Sequence, residues 1–309
     1  MMTVIVKMIA GILPSRLIMQ NVRHFEIWES KGYHVTPAHF YFPLPDLREI
    51  DEKVFSRRTQ LAGINLNEKR QLELLHVFKN NYGGEYSRLP GDKTNIDYEY
   101  YLRNGAFESV DGEILYCMVR HFKPGRIFEI GSGNSTYLMA RTLVENRRDQ
   151  GKESALEVID PYPNGILRKG IPGLTRLIEE KVQNIPVSMF GGLQENDILF
   201  IDSTHVLKIG SDVQYEVLEI LPRLNKGVIV HFHDIFLPAE YPSNWVKVNR
   251  WFWNEQYILQ AFLHFNDAYE VLWAGHYMHL NYPDELMAAF SSYNPNSTLP
   301  GSFWIRKIK

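Results

Sequence analysis

Short apolar runs, each followed by a polar or glycine residue, alternate with segments of helical spacing over the second half of the chain. Runs of this length and β-branched content are typical of strands buried in a parallel sheet. They lie at 127–130, 156–159, 177–184, 197–202 and 227–234, and the third is the weakest. Helical spacing lies at 111–121, from 137 onward, at 212–221 and at 251–264, and two further strands are expected at 269–273 and 302–308. This alternation predicts an α/β fold with a doubly wound, mostly parallel sheet of seven strands.

Residues 1–108 lack this alternation and are predicted to form an N-terminal aromatic extension, partly helical and partly irregular. From 22 onward, glycines and X-Pro pairs predict a fixed irregular segment and not a helix, and helical spacing resumes at 67–78. The aromatic residues at 98–107 suit a cap over a ligand site, or equally the docking of the extension on the core. The predicted division is therefore 1–108 for the extension and 109–309 for the main domain.

The first twelve positions are apolar, but Lys7 interrupts them and Pro14 follows closely. Crossing a bilayer takes about 20 consecutive apolar residues. A short amphipathic helix that packs on the body or on an oligomer partner is therefore expected, and a membrane-surface helix is the alternative.

The overall composition narrows the partners and the setting. The chain has 309 residues, a net charge of −3 and a pI near 6.4, so it lacks the basic field that nucleic acids attract. Cys117 is the only cysteine, which excludes an intrachain disulfide and a multi-cysteine zinc site. Its apolar neighbours predict a packed side chain, and a reducing, cytoplasmic setting is expected.

The turn after the first strong strand carries the first chemical signal. Gly131 and Gly133 lead into a helix, so free backbone N–H groups lie at its start and a ligand can approach without meeting a Cβ. A dinucleotide site would have a third glycine where this chain has Thr136. This departure weakens the dinucleotide interpretation, and an ordinary strand–turn–helix remains the alternative to any ligand site.

The pattern Glu129-x-Gly-x-Gly-x-Ser135 resembles the first motif of the class I S-adenosylmethionine (SAM)-dependent methyltransferases. The predicted sheet resembles the core of that family, in which five parallel strands are followed by a terminal pair whose last strand inserts antiparallel. The stretches 200–206, 230–236 and 253–257 resemble a group of stand-alone methyltransferases found with sugar, polysaccharide or natural-product pathways. The resemblance covers roughly 111–309.

This resemblance implies SAM as the cofactor. In the family, the acidic residue of the first motif acts through the polar environment of the methionine amino end, and the second motif accepts hydrogen bonds from ribose hydroxyls. Asp160 ends the second strand 31 positions after Glu129, further than the ~20 of a dinucleotide fold, and a turn residue before Pro161 is the alternative. The predicted cofactor-binding residues are Glu129, Gly131, Gly133, Ser135, Asp160, Gln183, Asn184 and Asp202.

A second group of polar residues follows the fourth and fifth strands. A histidine of near-neutral pKa can take the proton of an alcohol acceptor, so the predicted catalytic residues are His205, His233 and Asp202. His231 is interpreted as a hydrogen-bonded supporting group. In catechol-type and some sugar O-methyltransferases, carboxylates at these two strand ends hold Mg²⁺. Asp202 and Asp234 match those positions, but the third ligand position is apolar here, so Mg²⁺ is an alternative to direct base catalysis.

Together these patterns predict a SAM-dependent methyltransferase that acts on an oxygen of a small polar acceptor, such as a sugar or natural-product hydroxyl. The expected partner is that small-molecule acceptor, with a homo-oligomer left open and neither nucleic acid nor a membrane span expected. An NAD-dependent oxidoreductase and a non-catalytic partner subunit of the same fold are the alternatives.

Overall fold

The computed structural model describes residues 8, 22–36, 38–151 and 153–309. Contacts divide the chain into two compact units, Met1–Val54 with Ser243–Phe252 and Phe55–Pro242 with Trp253–Lys309. In the smaller unit the side chains of Lys247 and Glu52 form an ion pair, and the rings of Trp245 and Trp251 pack edge to face. The predicted boundary between 108 and 109 stays a prediction.

The larger unit is built on a seven-stranded sheet. Its strands are β1 (Arg126–Ile130), β2 (Ala155–Ile159), β3 (Arg176–Ile178), β4 (Ile198–Ile201), β5 (Ile229–Phe232), β6 (Tyr269–Ala274) and β7 (Phe303–Lys307). Their order is β3-β2-β1-β4-β5-β7-β6. The first five strands pair in parallel, and β7 lies antiparallel between β5 and β6. The predicted fold class is confirmed.

Helices connect the strands and cover both faces of the sheet. They are α1 (Val22–Glu29), α2 (Lys53–Ser56), α3 (Glu68–Tyr86), α4 (Asp111–Phe122), α5 (Asn134–Gln150), α6 (Gly165–Arg168), α7 (Asp212–Tyr215), α8 (Ser243–Lys247), α9 (Glu255–Leu263), α10 (Gly275–Asn281) and α11 (Pro283–Ala289). Among the described residues, every helix is too short or too polar to cross a bilayer. The helix predicted at 1–12 lies outside the described residues, apart from Met8.

The sheet separates two apolar layers because side chains alternate along each strand. In β1, Ile127 packs into one layer, whereas Phe128 and Ile130 pack into the other. β4 alternates in the same way and is buried along its whole length. Strands covered on both faces read as continuous apolar runs, which explains why the sequence located them. Cys117 is buried in the first layer, as predicted.

Several elements differ in extent from their predictions. β3 is three residues long, and the chain then turns through a 3-10 helix at Val182–Asn184. After α7 the helix widens into a π turn at Glu216–Ile220 and tightens into a 3-10 turn that contains Pro222. α9 begins at Glu255 and not at 251, because Asn254 forms hydrogen bonds with the distant loop after β4. The irregular segment predicted from 22 onward is wrong for α1, which is helical, since the X-Pro pairs that disfavour a helix begin only after it.

Helix α3 is attached to the antiparallel end of the sheet by buried amides. The Gln71 side chain is fully buried, and its Nε2 donates to the carbonyl of Leu66 at 2.6 Å while its Oε1 accepts the N–H of Ala274 at 2.8 Å. Asn67 Nδ2 donates to the carbonyl of Val271 at 3.1 Å. Two of these three bonds connect the start of α3 to the edge strand β6.

Replacing Gln71 with leucine should lower the free energy of unfolding by about 2–4 kcal/mol, because it leaves two backbone groups without partners. Urea unfolding followed by circular dichroism would measure the change. Glu73→Leu, on an exposed position of the same helix, is the control and should change stability by less than about 0.5 kcal/mol. Equal stabilities for the two variants would contradict the attachment described here.

Candidate active site

Polar or glycine residues follow four parallel strands at the same edge of the sheet. β1, β2, β4 and β5 run in one direction, so the residues that follow them share the carboxyl edge. These residues are Gly131, Asp160, Asp202 and the pair His233 and Asp234. In an open parallel sheet, ligands bind at this edge where the strand order reverses, which here is between β1 and β4.

The glycine turn after β1 brings two strand ends into direct contact. Gly131 has a φ of 85°, and a Cβ on it would lie 1.9 Å from the carbonyl oxygen of Asp202. Glycine is therefore required for both conformation and space. The N–H of Gly133 donates to Thr136 Oγ1 at 3.0 Å, which closes the first turn of α5. The residue that departs from the dinucleotide pattern thus has a local structural role.

Glu129 lies under this turn with one carboxylate oxygen unsatisfied. Its side chain is fully buried, and Ser135 Oγ donates to Oε1 at 2.6 Å. Oε2 has no hydrogen-bond partner among the described residues. Burial raises the pKa of Glu129 to about 8, although the hydrogen bond from Ser135 acts in the opposite direction. An unsatisfied buried carboxylate is suited to a cationic, hydrogen-bonding group.

A cavity of about 530 Å³ opens at the same edge. Its lining includes Gly131, Asp160, Gln183, Asp202 and Lys208. The predicted residues after β1, β2 and β4 therefore meet at one cavity, with the 3-10 turn after β3 as a further wall. Asn184 is not among the lining residues. Its side chain is exposed and donates to Glu180 Oε1 at 2.9 Å.

Asp160 forms a turn and also lies at the cavity. Its Oδ1 accepts the N–H of Tyr162 at 2.7 Å, which is the hydrogen bond of an Asx turn. Its Oδ2 accepts a hydrogen bond from the hydroxyl of Ser132. The residue is thus a turn former, and its carboxylate still belongs to the cavity wall.

His205 faces two carboxylates with one ring nitrogen and a third with the other. Its Nε2 lies 3.4 Å from Asp202 Oδ1 and 3.6 Å from Asp234 Oδ2, while Nδ1 lies 2.9 Å from Glu255 Oε2. Burial acts to lower the pKa of His205, but Asp202 and Glu255 outweigh it and raise the pKa to about 10. The ring of Trp253 packs against the imidazole with a centroid distance of 4.4 Å.

The backbone at this cluster is held in an uncommon conformation. His205 and Asp234 have φ values of 59° and 55°, in the left-handed region that residues other than glycine seldom adopt. Such conformations persist where the surroundings over-determine them, and they concentrate at functional sites.

His233 shares the same two carboxylates from the other side. Its Nδ1 lies 3.5 Å from oxygens of both Asp202 and Asp234, and its Nε2 lies 3.6 Å from Asp111 Oδ2. Burial opposes protonation, but Asp234 and Asp202 raise the pKa of His233 well above its ordinary value. In turn, although burial favours its neutral form, Asp202 has a lowered pKa because His233 and His205 are close.

His231 is set apart from this cluster by its contacts. Its ring stacks on Phe200 with a centroid distance of 3.9 Å, and its Nε2 lies 3.0 Å from Ser302 Oγ. Burial lowers its pKa well below the ordinary value, so it is neutral. These contacts agree with the supporting part predicted for it. Phe107, one of the aromatics before the main domain, packs on His233 with a centroid distance of 4.9 Å and is itself buried.

Glu255 and Asp111 were not identified from the sequence. A signal for Glu255 exists, because it stands four and eight positions before Leu259 and Leu263 on α9 and so shares their buried face. Asp111 opens α4, where an acidic residue is usual for the helix N-terminus and attracts no attention. Its carboxylate accepts the N–H groups of Gly301 and Ser302 at 2.8 and 3.0 Å.

Two of the three donors expected for magnesium are present at this cluster. Asp202 and Asp234 offer carboxylate oxygens of the kind that Mg²⁺ prefers. The third position of the expected set, Ile235, is a buried apolar residue. Among the described residues, no group of three or more His, Cys, Asp or Glu side chains is arranged to hold a metal ion. The two carboxylates instead face the imidazoles of His205 and His233.

The raised pKa of Glu129 predicts a pH-dependent loss of stability in the cofactor-free protein. The unfolded chain ionises this carboxyl near 4.5 and the folded protein near 8, so the folded state binds the extra proton between these values. Relative to Glu129→Gln, the free energy of unfolding of the wild type should fall as pH rises from about 4.5 to about 8 and then level off. Urea unfolding at a series of pH values would measure it, and parallel curves for the two proteins would contradict the assigned pKa.

Comparison with known proteins shows which family this chain resembles. A family model described as a methyltransferase domain matches residues 128–235. An uncharacterized protein of Archaeoglobus fulgidus is 34% identical over 169 residues, which are 52% of this chain and 75% of that protein. A solved SAH-bound methyltransferase of Podospora anserina is 17% identical, with 78% of this chain and 88% of that chain covered and a TM-score of 0.40. An O-methyltransferase of Bacillus cereus in complex with SAH is 13% identical, with 78% and 91% covered and a TM-score of 0.35.

The matched segment runs from within β1 to the residue after Asp234, so it contains the glycine turn, the cavity wall and both aspartates at the ends of β4 and β5. The strand order, with β7 inserted antiparallel, is the one that the sequence resemblance implied. This chain belongs to the class I SAM-dependent methyltransferases.

Proposed function

We propose that this methyltransferase acts on a hydroxyl oxygen of a small polar acceptor, such as a sugar or a natural product. One observation carries the proposal. Asp202 lines the cavity, and its Oδ1 lies 3.4 Å from His205 Nε2, so an imidazole adjoins the cofactor cavity. An alcohol is a poor nucleophile until it loses its proton, and a positioned imidazole is the usual group to take it.

The cofactor supplies a methyl group on a positively charged sulfur. Glu129 would receive the ammonium of its methionine part, because its buried Oε2 has no partner among the described residues. Asp160 would accept the ribose hydroxyls and Gln183 would contact the adenine, since both line the cavity. Gly131 lets the turn after β1 pack against the carbonyl of Asp202, and Ser135 orients the Glu129 carboxylate.

His205 would take the acceptor proton at Nε2. The acceptor oxygen would lose its proton to this nitrogen as it takes the methyl group, whose bond to sulfur breaks with both electrons left on sulfur. The positive charge would thus pass from the sulfur to the imidazole. In the cofactor-free protein Asp202 and Glu255 hold a proton on His205, so the ring has to release that proton before it accepts another. Asp202 raises the pKa of His205 less when a cation is bound beside it, because its carboxylate then interacts with two positive charges.

His233 is the less favourable candidate for this step. Its Nε2 faces Asp111, whose carboxylate is already engaged with the backbone at the start of β7. Its other nitrogen points to the carboxylates of Asp202 and Asp234. Its position suits the stabilisation of those carboxylates, and we assign that role to it.

A magnesium-assisted form of the same reaction is the second candidate. The observation that favours it is the convergence of Asp202 and Asp234 on one point, marked by His205 Nε2 at 3.4 and 3.6 Å. The apolar Ile235 weighs against it. Proton transfer to His205 does not require a metal. The homo-oligomer and the cytoplasmic setting stay predictions.

Replacing Asp160 with asparagine should weaken S-adenosylhomocysteine (SAH) binding about tenfold or more, a loss of at least about 1.4 kcal/mol. Asparagine keeps the oxygen that accepts the Tyr162 N–H, so the turn survives while one acceptor for the ribose is lost. Isothermal titration would compare SAH with NAD, for which no binding is expected. Unchanged SAH affinity would remove Asp160 from the cofactor site, and tight NAD binding would overturn the cofactor assignment for this cavity.

Replacing His205 with alanine should lower kcat about 10²-fold or more while SAH affinity stays within about twofold of the wild type. Transfer of radiolabel from SAM to a panel of methyl glycosides and simple phenols would first identify an acceptor and then measure kcat. His76→Ala, an exposed histidine on α3, is the control. Wild-type turnover in the His205 variant would refute the base role, and complete loss of wild-type activity in excess EDTA would favour the magnesium form.

A further inference from the structure

Glu255 is a buried carboxylate whose environment points to a single task. The side chain is 1% exposed, and its Oε2 lies 2.9 Å from His205 Nδ1. Oε1 has no hydrogen-bond partner among the described residues. Burying a carboxylate is costly unless it is paired. The one side-chain hydrogen bond described for Glu255 is therefore the one that offsets this cost, and it goes to the proposed base.

The backbone around Glu255 holds the same partner. The carbonyl oxygen of His205 accepts the N–H groups of both Asn254 and Glu255, at 3.1 and 3.3 Å. The side chain of Asn254 forms a second pair of bonds with the backbone of Leu207, at 2.6 and 3.3 Å. Trp253 packs on the imidazole from the preceding position. Three consecutive residues at the start of α9 thus fix the backbone and the ring of His205.

Asp111 offers a contrast at the other imidazole. It lies 3.6 Å from His233 Nε2, but its oxygens accept two backbone N–H groups at 2.8 and 3.0 Å. The two backbone N–H groups before β7 offset the cost of burying Asp111 even without the histidine. Glu255 has no such second engagement among the described side chains and backbone groups.

We propose that Glu255 is the positioning residue of the proton-transfer step. It accepts the Nδ1–H of His205 and so fixes the ring with Nε2 toward Asp202 and Asp234, where the acceptor proton arrives. The Nδ1 proton stays on the ring throughout, and Glu255 takes up no proton. This inference rests on the proposed function, because it assigns Glu255 to the histidine that handles the proton.

The test compares Glu255→Met, which removes the acceptor, with Glu255→Gln, which keeps an oxygen acceptor without the charge. The methionine variant should lose kcat about 10- to 100-fold, while the KM of the best acceptor in the glycoside and phenol panel and the affinity for SAH stay within about twofold of the wild type. The glutamine variant should recover part of the loss. Glu216→Gln removes a neighbouring buried carboxyl that bonds Ser203 and not His205, and it should retain most of the wild-type kcat.

A double variant separates this inference from the proposed base. Adding Glu255→Met to His205→Ala should lower kcat no further, because positioning acts only through the ring. NMR of the imidazole nitrogens with SAH bound supplies a readout independent of turnover. The wild type should show a protonated, hydrogen-bonded Nδ1 on His205, and the methionine variant should lose that signature.

Four outcomes would overturn the assignment of Glu255. They are a methionine variant no slower than Glu216→Gln, a loss of SAH affinity that parallels the loss of kcat, an additive double variant, or an unaltered Nδ1 signature. If His205→Ala alone has wild-type turnover, the base proposal fails instead, and the NMR comparison still decides whether Glu255 holds the ring.

Discussion

The pairing of four carboxylates with two imidazole rings is the interaction on which the rest of the site depends. His205 and His233 each direct one nitrogen to the oxygens of Asp202 and Asp234 and the other nitrogen to a carboxylate behind the ring. Without the His205 ring, the buried carboxylate of Glu255 would have to take up a proton. The loops after β4 and β5 and the first turns of α4 and α9 are therefore held together by charge as well as by apolar packing.

Much of this arrangement could be predicted from the sequence, because a strand buried on both faces is a continuous apolar run and its end is marked by the first polar residue. Asp160 and Asp202 were located in this way, and the shared edge of parallel strands then predicted that they would meet. Glu255 could not be assigned a partner by the same argument. Its contact with His205 joins positions fifty residues apart through the start of a helix, and no periodicity encodes that pairing.

The sequence also could not predict which side chain of a turn faces the cavity and which faces solvent. The 3-10 turn after β3 directs Gln183 to the cavity and its neighbour Asn184 to solvent, and a one-residue difference of this kind depends on local dihedral angles. Thr136 illustrates the reverse case. Its identity separates this turn from a dinucleotide fingerprint, and the reason became visible only with the hydrogen bond to Gly133.

The insertion of β7 between β5 and β6 has a consequence for the order in which the molecule is assembled. Strands β1 to β5 all end before residue 233. The segment at 301–307 pairs with β5, donates two backbone N–H groups to Asp111 and contacts His231. On the ribosome, β5 therefore emerges with an open hydrogen-bonding edge, and such edges recruit other chains. A chain that has not yet added β7 therefore exposes the unpaired edge of β5 to other chains.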